Sequence, residues 1–251
     1  MNQPEAMPAR AHYGHRARLG LIVPPNNTVT ESEWADAMPA GVTVHALRFR
    51  LNPLARSPAE LDLLRAGLRD ACALLAEAEI HALAFACTAP SAVSPRADME
   101  GLMSQAGGGL PAATAAAAVV DALNALSARR VVLVSPFSAA VTQHEADFLA
   151  REGLQVLAQH SLGHGTWQPG VKLAIHRIPP TQVCEAVLAL DHHEADAIVL
   201  SGTSLVTFPV LQELEARAGK PVVGSNQALL WSTLRKADVH DALELGRLFA
   251  L

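Results

Sequence analysis

Cys87 is the residue of this sequence best placed for covalent or proton-transfer chemistry. It follows the apolar run Ala82-Leu83-Ala84-Phe85-Ala86, and Pro90 is positioned to open a short helix just beyond it. A thiol at a helix start meets backbone N–H groups and the positive end of the helix dipole, both of which favour thiolate. Such a group can act as a nucleophile or donate a proton to a carbanion. The competing reading is a small buried hydrophobe, the commonest fate of a free cysteine. The strand-end position, followed by Thr88, favours chemistry. Cys72 lies on the apolar stripe Leu68–Leu75 and Cys184 four residues before Leu188, so both read as core packing.

Two further clusters could hold a ligand. Asn26 and Asn27 follow an apolar run and precede Thr28, Thr30, Glu31 and Glu33. One asparagine suits an Asx-turn and the other a substrate carboxylate, with Asn27 assigned to the ligand. Thr30 and Glu33 have capping-box spacing, predicting a helix that ends before Pro39. Gly202-Thr203-Ser204 combines close backbone approach, two hydroxyls and successive N–H groups, a turn that can hold an oxyanion or carboxylate. Alone it is ordinary loop chemistry. The 11 histidines form no metal-ligand set: His160 and His164 sit among glycines, and His192-His193 are adjacent and diverge. Gly107-Gly108-Gly109 lacks the Lys-Ser/Thr of a phosphate loop and reads as a turn. No nucleophile-elbow signature is present.

Composition narrows the class. The chain has 251 residues, half of them hydrophobic but only 4% aromatic, so the core is built mainly from Ala, Leu and Val. Three cysteines are too few for a disulfide framework and favour a reducing cytosol. A formal charge of -5 gives no electrostatic reason to expect nucleic acid, so an anionic substrate would need local donors. The segment Leu110 to Val120 is too short to span a bilayer, and the start of the chain lacks the apolar run of a signal peptide. A cytoplasmic protein with a loose N-terminal tail over residues 1–17 is expected.

The elements that must position these residues are short and alternating. The runs Leu19 to Val23, Ala82 to Ala86, Val131 to Val134 and Ala197 to Leu200 read as strands buried on both faces. Between them lie helical patterns. Ser57-Pro58-Ala59-Glu60 is a capping box ahead of the stripe Leu61, Leu64, Leu68, Cys72 and Leu75. A second helix follows Thr181, and a third covers Phe208 to Ala218 and stops at Gly219-Lys220-Pro221. This alternation predicts an α/β fold with parallel sheets flanked by helices. The order of turns also repeats: 63 residues separate Pro24 from Cys87, and 66 separate Pro136 from Gly202. That spacing fits two α/β halves of like topology, with every turn at a carboxyl strand end where ligands bind. Chance recurrence within one doubly wound domain is the alternative.

These motifs together resemble the aspartate/glutamate racemase superfamily, in particular its maleate cis–trans isomerase and arylmalonate decarboxylase branch. The likeness runs from Leu19-Gly20-Leu21-Ile22-Val23-Pro24 and Asn26-Asn27-Thr28 through Cys87-Thr88, Ser135-Pro136-Phe137 and Leu200-Ser201-Gly202-Thr203. It continues to Lys220-Pro221-Val222-Val223, Ser225-Asn226-Gln227 and Trp231. The resemblance implies two pseudo-symmetric lobes with the site in the cleft between them, the first over residues 18–115 completed by 225–251, the second over 116–224. It implies no metal or organic cofactor. Relatives of the racemase and isomerase type carry a cysteine on each lobe; here the second is replaced by Gly202. The pocket tyrosine is replaced by Phe137. Lys172 falls near a family asparagine, where it could pair a carboxylate or be an exposed loop lysine.

Two-base racemisation needs a proton carrier on each face of a carbon, and Gly202 cannot be one. The resemblance therefore implies an isomerase acting on a small dicarboxylic acid, with Cys87 as nucleophile and Asn27, Thr88, Phe137, Gly202, Thr203 and Ser204 around the substrate. The alternatives are an arylmalonate-type decarboxylase in which Cys87 protonates an enediolate, and a non-catalytic carboxylate binder. The implied partner is the dicarboxylate, with no nucleic acid and no membrane; assembly into a homo-oligomer is left open.

Overall fold

Runs of Val, Leu, Ile and Ala with no polar face must be covered on both sides, and the chain meets that need with two small parallel sheets. The computed structural model describes residues 12–52, 57–93, 95–164 and 174–251; Lys172 lies outside them. The first sheet contains Ala17–Val23 (β1), Val42–Arg48 (β2), Ala82–Phe85 (β3) and Ala112–Thr114 (β4), in the order β2-β1-β3-β4. The second contains Arg130–Ser135 (β5), Gln155–Ser161 (β6), Ala197–Leu200 (β7) and Val222–Gly224 (β8), in the matching order β6-β5-β7-β8. Every pairing is parallel, so all the turns that carry candidate chemistry emerge at carboxyl ends. This is the two-lobed α/β architecture expected from the repeat.

The four predicted runs are the inner strands. β3 and β7 are buried throughout, and β1 and β5 are buried except at Arg18 and Arg130. The unpredicted strands β2 and β6 are sheet edges with alternating exposure, and β4 has only three residues, so none carries a dense apolar run. β1 begins at Ala17, two residues ahead of the apolar run, because Ala17 and Arg18 pair with Val42 and Thr43. The Arg18 side chain leaves the sheet to donate to the carbonyls of Ala78 and Glu79. Just before the strand, Arg16 pairs with Asp241, which ties the end of the expected tail to the C-terminal segment.

Nine helices link the described strands: Thr30–Ala37 (α1), Pro58–Ala76 (α2), Thr88–Ser91 (α3), Arg96–Ala106 (α4), Ala115–Ala125 (α5), Ala139–Arg151 (α6), Pro180–Ala189 (α7), Leu211–Ala218 (α8) and Ser225–Lys236 (α9). The capping box at α2 forms as expected: the Ser57 hydroxyl accepts the Glu60 N–H at 3.3 Å and the Glu60 carboxylate accepts the Ser57 N–H at 3.1 Å. The Thr30–Glu33 box does not form. Asn27 Oδ1 instead accepts the N–H groups of Val29 and Thr30 at 2.9 and 3.1 Å, which frees both predicted capping side chains for longer-range contacts. The alanine-rich α5 packs along α9, where small side chains allow close approach. Both helices also touch strands of both sheets and so form the seam between the lobes. Among the described residues, no helix is long and apolar enough to cross a membrane.

Candidate active site

Cys87 ends the segment after β3 and takes extended backbone angles, φ -148° and ψ 104°, immediately before α3. The strand delivers it to the interlobe seam, and α3 holds it there: the Ser91 hydroxyl lies 2.9 Å from the Cys87 carbonyl, and the Ser91 oxygen also accepts the Ala116 N–H at 3.1 Å. Thr88 and Ala89 open the helix, so their N–H groups have no intrahelical acceptor. Around the thiol the four turns converge. Pro24 and Asn26 come from the turn after β1, Phe137 from the turn after β5, and Thr203 and Ser204 from the turn after β7. Ile175, in a short helical turn after the segment 165–173, closes the apolar side. Apart from Cys87, none of the described lining residues is titratable.

The structure brings Cys87, Thr88, Phe137, Thr203 and Ser204 together around one cleft, and it exchanges the two asparagines. Asn27 is 1% exposed, and its amide lies 2.8 Å from the Thr30 hydroxyl and 3.3 Å from the Thr203 carbonyl. With its carbonyl capping α1, Asn27 forms the frame; exposed Asn26 faces the pocket instead. The expected Asx-turn is real, but the other asparagine makes it.

Gly202 sits behind the wall. Its N–H donates to the Ser225 hydroxyl at 3.1 Å, so this N–H is already engaged. Ser225 also lies 3.4 Å from the Thr88 hydroxyl, which links the two facing turns. The Thr203 hydroxyl donates to the Ala86 carbonyl at 2.8 Å, again across the lobes. The N–H groups of Thr203 and Ser204 carry no bond to another described residue, which leaves them for a ligand. Gly202 has φ +100°, a conformation that only glycine adopts readily, and a β-carbon there would stand 2.8 Å from Pro136 Cγ.

Electrostatics oppose the simple expectation for Cys87. The thiol is 7% exposed, and burial, aided by the charge of Glu145, pushes its pKa well above the ordinary cysteine range. The four-residue helix does not overcome that desolvation, so the resting group is a thiol. Glu145, on α6, was not signalled by any motif in the sequence; only its burial and its effect on Cys87 reveal it. Cys72 and Cys184 are packed into the apolar clusters, and burial pushes the Cys72 pKa up to about 12.

Two like parallel-sheet lobes, with a thiol and neutral donors gathered at the cleft between them, make a racemase-like scaffold. The arylmalonate decarboxylase family model matches residues 19–249, and the chain belongs to that family. It is 29% identical to a maleate isomerase of Nocardia farcinica over 245 residues, 92% of this chain and 94% of that protein. An arylmalonate decarboxylase of Bordetella bronchiseptica is 36% identical over 130 residues, about half of either chain (51% and 52%). Among solved structures, a cysteine-to-serine mutant of the Nocardia farcinica maleate cis-trans isomerase, holding a covalently bound succinylcysteine intermediate, superposes with TM-score 0.81. It is 27% identical and covers 93% of this chain, with 98% of its own length matched.

Proposed function

We propose that this protein is a cofactor-independent enzyme that isomerises a maleate-like cis dicarboxylate, with Cys87 as its nucleophile. The observation that carries the proposal is the placement of Cys87 on the cleft wall, opposite N–H and hydroxyl donors rather than a second thiol. Full-length likeness to maleate isomerases, one of which carries a succinylcysteine adduct, supports this reading over others in the family.

In the scheme, Cys87 thiolate adds to one alkene carbon. The C–S bond forms as the π pair moves to the neighbouring carbon and its carboxylate. Rotation about the resulting C–C single bond and expulsion of the thiolate give the trans acid, with no net change in protons or electrons. The N–H groups of Thr88 and Ala89 on one side, and of Thr203 and Ser204 on the other, are the donors for carboxylate oxygens that gain charge. Asn26 adds a side-chain amide at the mouth, Asn27 sets the geometry of that rim, and Phe137 presents a ring where a hydroxyl would otherwise donate.

The second reading, decarboxylation of a disubstituted malonate with Cys87 protonating an enediolate, is favoured by Phe137 and Ile175, which suit an apolar substituent. Incubation with maleate and, separately, phenylmalonate in deuterated water, followed by NMR, separates the two. The expected result is fumarate from maleate, lost in Cys87→Ala. Carbon dioxide release from phenylmalonate without fumarate formation would replace the first reading with the second. Turnover of neither, with carboxylate binding retained in Cys87→Ala, would indicate a binding protein.

A further inference from the structure

None of the described residues that line the cleft is cationic, so a carboxylate that gains charge there must be met by fixed dipoles. One such dipole is reinforced by residues outside that lining. A peptide unit joins the carbonyl of one residue to the N–H of the next, and in the trans form the two point in opposite directions. The Thr203 carbonyl and the Ser204 N–H are the ends of one unit, and no described peptide bond is cis. The Thr203 carbonyl points into the buried network between α1 and α9. The Ser204 N–H therefore points away from that network, and it carries no bond to another described residue.

That carbonyl is heavily engaged. Asn27 Oδ1 accepts two backbone N–H groups, which turns its amide nitrogen toward Thr203, 3.3 Å from the carbonyl oxygen. The Asn226 amide nitrogen donates to Glu33 at 2.6 Å and gives its second hydrogen to the Thr203 carbonyl at 3.0 Å. The Thr30 hydroxyl has one proton and two acceptors, the Thr203 carbonyl at 3.0 Å and Asn226 Oδ1 at 2.9 Å. Two amides thus donate to the carbonyl, with a hydroxyl in reach as a third donor, and all three side chains are 1% exposed or less. Buried hydrogen bonds to a carbonyl oxygen favour the resonance form with a C=N bond, which makes the attached N–H more positive. The neighbouring donors have less support. The Gly202 carbonyl, in one unit with the Thr203 N–H, accepts a local bond from the Leu205 N–H at 3.1 Å. In the facing turn, a single Ser91 hydroxyl proton is shared between the Cys87 and Thr88 carbonyls, each 2.9 Å away.

We propose that the Ser204 N–H is the main donor for the substrate carboxylate that gains charge, and that Asn226 is the positioning residue that aims and polarises it. Asn226 acts through the Thr203–Ser204 peptide unit, with Asn27 and Thr30 in support, and Glu33 fixes the orientation of its amide. The device joins distant parts of the chain, since Asn27 and Thr30 lie 176 and 173 residues from Thr203. It rests on the isomerase reading for its substrate, whose carboxylate gains charge as the Cys87 thiolate adds to the alkene.

The test uses the full chain and two readouts: maleate turnover, and the Ser204 amide signal in proton–nitrogen correlation NMR with succinate as an unreactive dicarboxylate. Succinate should move the Ser204 amide proton downfield further than those of Thr88, Ala89 and Thr203. Asn226→Leu should lower kcat about tenfold while KM changes less than about threefold, because the donor is weakened in the transition state rather than removed. In the unliganded variant the Ser204 amide nitrogen should shift upfield, the direction set by a carbonyl that has lost a donor. Thr30→Val should show the same changes on a smaller scale, and Thr30→Ser, which keeps the hydroxyl, should match the parent. This pair carries the test if Asn226→Leu folds poorly. A Ser204 signal indifferent to succinate would overturn the proposal. So would an unchanged kcat in folded Asn226→Leu, or a raised KM with kcat held. Maleate turnover by the parent without a Ser204 response would remove this inference alone. No turnover of maleate, with the Ser204 response intact, would remove the isomerase reading and leave the donor assignment standing.

Discussion

The Glu33 carboxylate accepts a 2.6 Å hydrogen bond from the Asn226 amide, joining α1 to α9 across the back of the cleft. The other Glu33 oxygen accepts the N–H groups of Thr207 and Phe208 at 2.7 and 2.9 Å. Asn226 also donates to the Thr203 carbonyl at 3.0 Å, and its backbone carbonyl accepts the Trp34 indole N–H at 3.2 Å. One buried carboxylate therefore fixes the turn that presents Thr203 and Ser204 to the ligand. A buried network of this kind is stable only when every member is paired, so its parts are strongly coupled.

Burial raises the Glu33 pKa from its ordinary 4.5 to about 7, against the lowering effect of its three hydrogen bonds. A carboxyl that binds its proton more tightly when folded contributes stability below pH 4.5 and loses it as pH rises through 7. The full swing is on the order of 3 kcal/mol. Glu33→Gln should be destabilised, since glutamine keeps one accepting oxygen and sets an NH2 donor where the other carboxylate oxygen now accepts from Asn226 or from Thr207 and Phe208. Its urea midpoint should also lack the wild-type decline over this window. Parallel stability curves for the two proteins between pH 4.5 and 8 would contradict the assignment.

How much of this was legible in the sequence depends on range. Each inner strand announced itself as an unbroken apolar run, and the capping box at Ser57 is complete within four residues. Thr30 and Glu33 have the same local spacing, yet their side chains reach Thr203, Asn226 and Thr207, contacts that local pattern cannot encode. The exchange of Asn26 and Asn27 has the same origin: either can form an Asx-turn, and the choice is made by Thr203, a neighbour 176 residues away. Cys87 was conspicuous because a strand end precedes it, whereas Glu145 lies mid-helix and looks like any solvated carboxylate until α3 packs against α6.

The resting thiol gives a direct chemical expectation. Burial and Glu145 both raise the Cys87 pKa, so iodoacetamide labelling of the unliganded protein should be slower than that of a free cysteine at pH 7. It should increase with pH without levelling off by pH 9. Peptide mapping separates it from Cys72 and Cys184, which are packed away from the cleft. A plateau near pH 7 would mean that a thiolate already exists at rest.

Gly202→Cys should not simply restore a two-thiol site. The positive φ of +100° and the 2.8 Å approach to Pro136 Cγ require the backbone or the proline ring to move. The expected cost is about 1–3 kcal/mol in urea unfolding. Pro136→Ala in the same chain should recover part of it, leaving the strain of the backbone angle. Additive effects of the two substitutions would show that the clash is not what excludes a side chain at this position.

The two asparagines should separate stability from binding. Asn27→Ala removes the cap of α1 and the amide contacts to Thr30 and Thr203, all buried. The cost should be about 2–3 kcal/mol, with the rim of the cleft loosened as a result. Asn26→Ala removes an exposed side chain that makes no hydrogen bond to another described residue, so stability should change by less than about 0.5 kcal/mol. Its effect should fall on substrate binding: if the amide contacts the bound dicarboxylate equally in ground and transition states, KM rises several-fold while kcat holds. Thermal unfolding and steady-state kinetics on both variants test the division. The opposite pattern, a stable Asn27→Ala enzyme with a raised KM and an unaffected Asn26→Ala enzyme, would return the ligand role to Asn27 and mean that its contact with Thr203 opens when substrate enters.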